Sequence, residues 1–474
     1  MKPINNDRAD FGACTNKEFR AHITDSIFFG DGFSTLEVRA IFSDKRRMQR
    51  WLEVEVALAQ SQAELGIIPK QAAVELSRTA NLKNFDVGDI INQIQHTKHS
   101  LVPLLQAWQS VVSKDVAQYI HYGATTQDIQ DTAQVLELRD VIYIVERDLQ
   151  SIITKLARLA KRYRALVMIG RTHSQHAMPI TLGLKISGWL DECMRNFDRL
   201  AFCKTTLLAS QLFGAVGTMA AFSENGPEIL RIFSKKLGLA CPSVAWHNAR
   251  DRFVDFVSIL AMIAGVLGRI SNEIIQLGKN EVCELAESHH DGQIGSSTMP
   301  QKCNPEDCER IIALSKLVKN QTALSFDTLI SEHERDYRTM RLEWVAITDA
   351  SLYACCALAT MNVVLEKLVV NEKTITNNVI SAAPTLTTEA LMFLLSKKIH
   401  KNSAASYVNQ AFRQARKNST QLIDELQKFE EVAKNFNKKQ LETVLDPFQY
   451  IGVAHQLVDN ILEVVITKFQ LKQL

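Results

Sequence analysis

The chain has 474 residues, of which 46% are hydrophobic and 22% are charged, a balance that fits a soluble globular protein and excludes wholesale disorder. Lysine and arginine total 54 against 52 aspartate and glutamate, so a formal charge of +2 gives no electrostatic footprint for nucleic acid or membrane. The nine cysteines form no pair of CxxC clusters, and no apolar signal region or membrane-length run stands out. We therefore expect a cytoplasmic protein with no nucleic-acid or membrane partner.

The predicted elements are mostly helical, because glycine, proline and aromatic residues are sparse. An extended arm with a turn at Gly30–Gly32 is expected first, then a helix over 36–65 and two helices within 86–118 interrupted near Pro103. Longer helices follow, and the tail from about 370 to 474 reads as a small helical domain. The longer apolar patterns cover 128–167, 182–213, 251–287, 305–325 and 342–369.

Long helices without a βαβ rhythm predict an all-α protein built on an elongated bundle. Several apolar stripes are wide enough to bury two sides of a helix, which favours a bundle that packs against other copies of itself. A monomeric helical domain is the alternative.

Four polar segments interrupt the helical pattern, and such loops on a rigid scaffold are common places for chemistry. The most specific of them reads GQIGSSTMPQKCNP over 292–305. Its glycines free the backbone, its two serines offer hydroxyl and N–H groups that can together hold an oxyanion, and Lys302 adds a cation. The four segments are His121–Asp128, Gly170–Pro179, His289–Pro305 and His333–Arg341.

The third segment matches GSSxMPxKxNP, and the chain resembles the fumarase/aspartase superfamily over nearly its whole length. The likeness is narrower to the branch of adenylosuccinate lyase and 3-carboxy-cis,cis-muconate cycloisomerase, through HYGATTQDIQDTA, GRTHSQHAMP, GAVGT and HERD. The resemblance implies three helical domains, placed at 1–110, 111–369 and 370–474, and a homotetramer with active sites assembled from three subunits. It also implies a small dicarboxylate-type substrate and no cofactor.

The reaction of that superfamily removes a proton from a carbon beside a carboxylate and expels a leaving group from the next carbon, so it needs a base and an acid. The match points to Ser296 as the base, with Ser297 as the fallback, and to His173 as the acid. Histidine suits that role because its pKa lies near working pH. Glu309 follows Ser296 by thirteen residues, where the superfamily has a carboxylate that pairs with this histidine.

Further residues resemble the groups that hold the substrate carboxylates. Thr125 and Thr126 resemble a Thr-Ser pair that binds one carboxylate, and Lys302 with Asn304 resembles the other clamp. Gln175, in the same motif as the candidate acid, is a further candidate for substrate binding.

Other histidines have less specific signals. His121 and His99 stand where relatives have active-site histidines, although both could equally be packing residues. The neighbouring His289 and His290 suggest no third ligand, so no metal site is expected.

The segment after the signature departs from the pattern of the adenylosuccinate lyases. By resemblance, those enzymes have ERDxSHSSxER there, and its serine and arginine hold a nucleotide phosphate. This chain has ERDYRTMRLEW over 334–344, in which Trp344 replaces the final arginine. Arg335, Arg338 and Arg341 remain as candidate anion binders. The reaction class is therefore better supported than the substrate, and a nucleotide substrate is in doubt.

Three functions remain open from the sequence. We favour a lyase that acts by β-elimination on a succinyl-type, adenylosuccinate-lyase-like substrate, cleaves a C–N bond and releases fumarate. A cycloisomerase that closes a muconate-type acid to a lactone is the alternative among enzymes. A catalytically retired structural protein is the third, but the joint presence of Ser296, His173, Lys302, Asn304 and Glu309 argues against it.

Overall fold

The computed structural model describes residues 22–289, 298–299 and 301–471. Within these ranges, 19 α-helices and two short two-stranded sheets form the chain, which confirms the all-α class. The α-helices up to Leu237 are α1 (Leu36–Ile41), α2 (Asp44–Glu64), α3 (Lys70–Thr79), α4 (Val87–Thr97), α5 (Val102–Val111), α6 (Lys114–Ala117), α7 (Thr126–Arg162), α8 (Leu182–Leu207) and α9 (Gly226–Leu237).

The remaining helices and the strands occupy the second part of the chain and the hairpin after α7. The helices are α10 (Asp251–Leu277), α11 (Glu306–Phe326), α12 (Tyr337–Glu366), α13 (Glu372–Leu386), α14 (Thr388–Leu395), α15 (Lys401–Asn418), α16 (Leu422–Leu426), α17 (Glu430–Asn435), α18 (Lys438–Val444) and α19 (Ala454–Phe469). The strands are β1 (Val167–Thr172), β2 (Gln175–Thr181), β3 (Leu285–Ala286) and β4 (Val369–Val370). Short 3-10 helices lie at Ile23–Asp25, Gly30–Gly32, Leu82–Asn84, Ala220–Asn225 and Asp327–Leu329.

The chain divides into two compact units, each made of three separate stretches. Unit 1 comprises Met1–Asp148, Asn196–Leu267 and Arg310–Thr360. Unit 2 comprises Leu149–Arg195, Gly268–Glu309 and Met361–Leu474. The three-domain division expected from the sequence stays a prediction.

The core of unit 1 follows the apolar stripes that the sequence shows. On α7, Leu138 and Val145 are fully buried, and on α10 the same holds for Phe256 and Leu260. Unit 2 has a separate apolar cluster among the helices of the tail, in which Leu391, Leu426 and Leu441 are fully buried.

The clearest helix in the sequence is shorter than predicted. The pattern predicted one helix over 251–287, whereas α10 ends at Leu277. A Cβ at Gly278 would lie 3.1 Å from the carbonyl oxygen of Leu285 and 3.2 Å from that of Ile274, so glycine permits the chain to fold back closely. Strand β3 follows, and two residues are too few to leave a strand pattern in the sequence.

The segment 170–179, read from the sequence as a polar loop, is part of an antiparallel β-hairpin instead. Its two strands shift register between Ile169 and Arg171. Gly170 stands at this bulge, and a Cβ there would lie 2.7 Å from the carbonyl oxygen of Met178. The sequence reading failed because strands of six and seven residues between long helices give little periodic signal.

Helices α10 and α12 are long and apolar enough to cross a membrane by length and composition alone, and a bent pair over Glu372–Ala383 and Thr388–Leu395 would add a third. The prediction that no apolar run reaches this length is wrong. Of the two apolar windows, 67% and 72% of the residues are buried within the protein. Burial in a helix bundle accounts for their apolar character.

Candidate active site

A cavity of about 420 Å³ opens at the start of α7, within unit 1. We call it the threonine cavity. It brings together four residues that the sequence analysis selected for substrate binding. Its lining is Lys98, His99, Ser100, Thr125, Thr126, Gln127, Gln130, Arg335, Tyr337 and Met340.

The polar groups of the threonine cavity contact one another. Arg335 Nη1 donates a hydrogen bond to Thr125 Oγ1 at 2.8 Å, and Thr126 Oγ1 lies 3.5 Å from His99 Nε2. The backbone N–H of Val102 donates to His99 Nδ1 at 3.1 Å, so a neutral His99 has its proton on Nε2, on the side of Thr126. Among the polar groups of the cavity are therefore the hydroxyls of Thr125 and Thr126, the imidazole N–H of His99 and the guanidinium of Arg335.

The Asp128 carboxylate holds this segment in place and was given no role by the sequence analysis. It is fully buried and accepts four hydrogen bonds. The N–H of Thr125 and the N–H of Gly214 donate to Oδ2 at 3.0 and 2.9 Å, and the N–H of Phe213 donates to Oδ1 at 2.9 Å. The fourth donor is His247 Nε2, at 2.9 Å from Oδ1. Asp128 thereby ties the first turn of α7 to the glycine-rich segment that follows α8.

A buried ion network lies one turn further along α7. Arg250, fully buried, binds Asp131 through both terminal nitrogens at 2.8 and 2.9 Å. It also donates to Glu343 from Nε and Nη2 at 2.6 Å each. Burial opposes the charge of Arg250, but the two carboxylates raise its pKa above the ordinary value. The network joins α7 and α12 to the residue just before α10 and was not predicted from the sequence.

His121 comes shortly before Thr125 in the chain, and its backbone is in the left-handed conformation, with φ of +59°. Its Nδ1 lies 2.6 Å from Oε1 of Glu55, which is 2% exposed. Burial alone would lower the pKa of His121, but the charge and hydrogen bond of Glu55, with a smaller contribution from Asp128, raise it above the usual value. The imidazole is therefore held by Glu55, and its contact with substrate stays a prediction.

The other two candidate arginines, Arg338 and Arg341, also contact neighbouring side chains. Arg338 Nη2 binds Asp336 at 2.7 Å and Glu332 at 2.9 Å. Arg341 lies over the ring of Tyr337, 4.8 Å from its centroid. Their role as anion binders stays a prediction.

In unit 2, His173 occupies the tip of the β1–β2 hairpin. His173 and Ser174 form its two-residue turn, with φ of +50° and +61°. His173 and the nearby Gln175 are exposed. At the base of the turn, Arg171 donates to Glu284 through two bonds of 2.8 and 2.9 Å, and this pair fastens the hairpin to the strand β3 segment.

The signature segment is described only at its edges. Ser296 and Ser297 lie outside the described residues. Lys302 is exposed and Asn304 is half-buried, in the turn that leads into α11. Glu309, in the first turn of α11, is exposed, and no hydrogen bond or ion pair joins it to His173 in the described part of one chain.

Glu287 lies just before the signature segment and binds the start of the helix that follows it, a role that was not predicted from the sequence. Its carboxylate accepts the backbone N–H groups of Asp307 and Cys308 at 3.1 and 3.0 Å. N–H groups in the first turn of an α-helix have no acceptor within the helix, so Glu287 caps α11 from twenty residues away in sequence. In the ranges that the structure covers, no group of three or more His, Cys, Asp or Glu side chains is arranged to hold a metal ion.

Comparison with known proteins gives matches along almost the whole chain. A family model described as a lyase matches residues 34–319. The N-acetyl-S-(2-succino)cysteine lyase of Enterococcus italicus is 38% identical over 453 residues, 96% of this chain and 99% of the relative. The protein of the same name from Dickeya dadantii is 37% identical, over 93% and 97% of the two chains. The adenylosuccinate lyase of Methanocaldococcus jannaschii is 33% identical, over 92% and 95%.

Solved structures agree with these matches. A fumarate lyase from a Mesorhizobium species aligns with a TM-score of 0.85 and 32% identity, over 91% of this chain and 98% of the other. The β-carboxy-cis,cis-muconate cycloisomerase of Acinetobacter calcoaceticus aligns with a TM-score of 0.84 and 30% identity, over the same shares. Sequence and fold therefore match over more than nine-tenths of the chain.

Proposed function

Because the chain belongs to the lyase family of the fumarase/aspartase superfamily, we propose that it is an enzyme that releases fumarate from a succinyl-type substrate. Its relatives place it in the branch of adenylosuccinate lyase and 3-carboxy-cis,cis-muconate cycloisomerase. Two relatives, at 38% and 37% identity, are named for cleavage of an S-succinylated cysteine derivative. We therefore assign the leaving group as the sulfur of such a derivative.

The observation that carries this proposal is the hydrogen bond from Arg335 to Thr125 in the threonine cavity. A succinyl group brings two carboxylates, and a site for it needs fixed donors and positive charge. Thr125, Thr126 and Arg335 supply them beside the first turn of α7, whose N–H groups and dipole also favour an anion. Donors that are fixed in advance hold one carboxylate of the succinyl group without reorganisation during the reaction.

The reaction then needs one base and one acid. In the proposed course, Ser296 removes the proton from the carbon beside one carboxylate, and Lys302 and Asn304 hold the negative charge that results. The C–S bond breaks with both electrons going to sulfur, and His173, paired with Glu309, returns a proton to it. The products are fumarate and a thiol, so atoms and charges balance without a cofactor.

The proposal is tested by incubating the purified protein with N-acetyl-S-(2-succino)cysteine and following fumarate by ultraviolet absorbance and thiol with a chromogenic disulfide. We expect fumarate and thiol in equal amounts. Adenylosuccinate and N-succinyl amino acids run in parallel test the C–N cleavage that the sequence alone favoured. Fumarate from adenylosuccinate and none from the thioether would refute the assignment of sulfur.

Lactonisation is the second candidate, favoured by the fold match to a cycloisomerase. The same base and anion clamp would then promote ring closure instead of elimination. Carboxymuconate in the same assay separates the two, because its consumption without fumarate release identifies a cycloisomerase. A folded protein that acts on none of these compounds would favour the structural role.

We also propose a homotetramer whose active sites take segments from three subunits. Mixing a Ser296→Ala protein with a His173→Asn protein tests it, with fumarate release followed on the thioether. Hybrid assemblies then contain some sites with both residues intact, so activity should rise above that of either variant alone after subunit exchange. Mixtures whose activity stays at the average of the two variants after proven exchange would rule out shared sites.

A further inference from the structure

A second cavity, of about 770 Å³, lies beside the threonine cavity in unit 1. We call it the tryptophan cavity. Ser100 and Gln130 line both spaces, and Gln130 Nε2 donates to Ser100 Oγ at 2.7 Å, so the two cavities share a wall. The apolar lining of the tryptophan cavity comprises Met48, Trp51, Val87, Ile91, Ile94 and Trp344.

An aromatic pair marks a second border between the two cavities. Tyr337 lines the threonine cavity and Trp344 lines the tryptophan cavity. Their rings meet edge to face, with centroids 5.9 Å apart and an angle of 84°. A molecule anchored at the threonines has the tryptophan cavity as its neighbouring apolar space.

The charged groups around the tryptophan cavity balance one another. Asp44 and Glu137 offset Lys45 and Arg47 in its lining. Arg47 donates to the Glu137 carboxylate at 3.0 and 3.2 Å, and that carboxylate is 2% exposed. A phosphate placed here would compete with a buried carboxylate for Arg47, so the wall favours an uncharged ligand.

One polar group in the wall lacks a partner. Gln134, on α7, is 8% exposed and lines the tryptophan cavity. Its Nε2 has no hydrogen-bond partner among the residues that the structure describes. A buried amide donor is costly to leave unpaired, and a carbonyl oxygen in the ligand would satisfy it.

We propose that the tryptophan cavity binds the end of the leaving group remote from the succinyl carbon, and that this end is an uncharged N-acyl chain whose carbonyl accepts from Gln134. The inference rests on the proposed function and narrows its substrate to N-acylated, cysteine-type leaving groups. A space of about 770 Å³ is far larger than an acetyl group needs, so longer acyl chains bind more tightly.

Acyl length provides the first test. Steady-state kinetics of fumarate release would be compared for the S-(2-succino) thioethers of cysteine, N-acetylcysteine and N-butanoylcysteine. From acetyl to butanoyl we expect KM to fall about tenfold with kcat within about twofold, because two buried methylenes improve binding and not the chemical step. The unacylated compound, with an ammonium group, should have a KM at least about tenfold above the acetyl compound. Equal KM for acetyl and butanoyl would overturn the inference.

Variants test the two walls separately. Trp344→Ala should abolish the preference for the longer acyl chain. The control is Phe393→Ala, which changes an exposed aromatic residue on α14 in unit 2 and should retain the preference. Gln134→Leu should raise KM about tenfold for the N-butanoyl substrate and leave KM unchanged for 2-(hexylthio)succinate, which has no amide. An equal rise for both substrates would mean that Gln134 has only a structural role.

Binding of the leaving group alone separates this inference from the proposed function. Titration of the unmodified protein with N-butanoylcysteine should change its tryptophan fluorescence in a saturable way, since Trp51 and Trp344 line the cavity. A saturable change without fumarate release from any thioether would retain the cavity assignment and reject the proposed reaction. Fumarate release without saturable binding would retain the reaction and reject the cavity assignment.

Discussion

The two units hold their candidate residues in opposite ways. In unit 1, Arg335 donates a hydrogen bond to Thr125. The start of α7, where Thr125 lies, is held by the buried carboxylate of Asp128, which accepts four hydrogen bonds. In unit 2, His173, Lys302 and Glu309 are exposed, and no hydrogen bond or ion pair joins them in the described part of one chain.

This difference fits the chemistry proposed for each group. A group that holds a carboxylate acts best when it is positioned before the substrate arrives, since reorganisation then costs little during the reaction. A group that transfers a proton must reach the reacting atoms and approach its partner only in the complete site. In the proposed site, the groups assigned to substrate binding are already bonded to one another within one chain, and the groups assigned to proton transfer would meet in the proposed homotetramer.

The largest effect should come from the groups assigned to proton transfer. Ser296→Ala should lower kcat about 10³-fold, because alanine has no hydroxyl to accept the carbon-bound proton. KM and the thermal unfolding temperature should stay near the parent values. Ser297→Ala is the matched control and should cost less. Near-parent turnover of Ser296→Ala would move the base elsewhere.

The acid should show its role through the leaving group. His173→Asn should lower kcat about 10³-fold for an N-succinyl substrate but only about tenfold for a thioether, because a thiolate leaves with less help from a proton. Parallel assays of fumarate release on both substrates measure this ratio. His176→Asn, a neighbouring exposed histidine of the same hairpin, serves as the comparison. Equal losses on both substrates would contradict the acid assignment.

The groups assigned to substrate binding should respond in KM. Arg335→Gln removes a charged donor from the threonine cavity and should raise KM about 10- to 100-fold with a smaller change in kcat. Thr125→Val should act through the same bond, so the double variant should lose less than the sum of the two effects. Arg338→Gln, whose guanidinium is already held by Asp336, should raise KM less. If the effects of Arg335→Gln and Thr125→Val on KM were additive, the two residues would not act as a preorganised pair.

The smallest effect should be a pH dependence of stability. Burial lowers the pKa of His121, but the charge and hydrogen bond of Glu55, with a smaller contribution from Asp128, raise it by more, so the folded pKa lies above the usual 6.5. The pair then contributes its full stability below about pH 6.5, and this contribution is lost as pH rises through the folded pKa. Glu55→Gln should remove that slope and lower the pKa of His121.

Denaturant titrations on both sides of that pH window, with a histidine NMR titration, measure this effect. Glu53→Gln, on the same helix and 35% exposed, is the control and should keep the slope. A pKa of His121 that is unchanged in Glu55→Gln would show that another group charges it.

Much of the fold was predictable because helix periodicity is strong over long segments. The pattern at 305–325 matches α11 (Glu306–Phe326) within one residue at each end. The hairpin and the end of α10 were missed, since both depend on single glycines, Gly170 and Gly278, whose need comes from backbone atoms distant in sequence. Helical periodicity indicates which face of a helix is buried, but it contains no information on close contacts between backbone atoms that are distant in sequence.

The site was predictable as motifs and not as a network. The spacing Thr125-x-x-Asp128 is that of a capping box, so a role for Asp128 at the start of α7 could have been read from the sequence. Glu55 and Glu343 could not, because each sits in an ordinary helical stretch and gains its partner only by folding. Buried carboxylates need such partners, but the sequence does not say which.

The bond between Arg171 and Glu284 bears on how this protein can change over time. Arg171 precedes His173 by two residues, and Glu284 precedes Ser296 by twelve. Recombination that replaces the hairpin without the strand leading to the serines would separate a guanidinium from a fully buried carboxylate. A chimera with a relative that lacks this ion pair should therefore function only where both segments come from one parent.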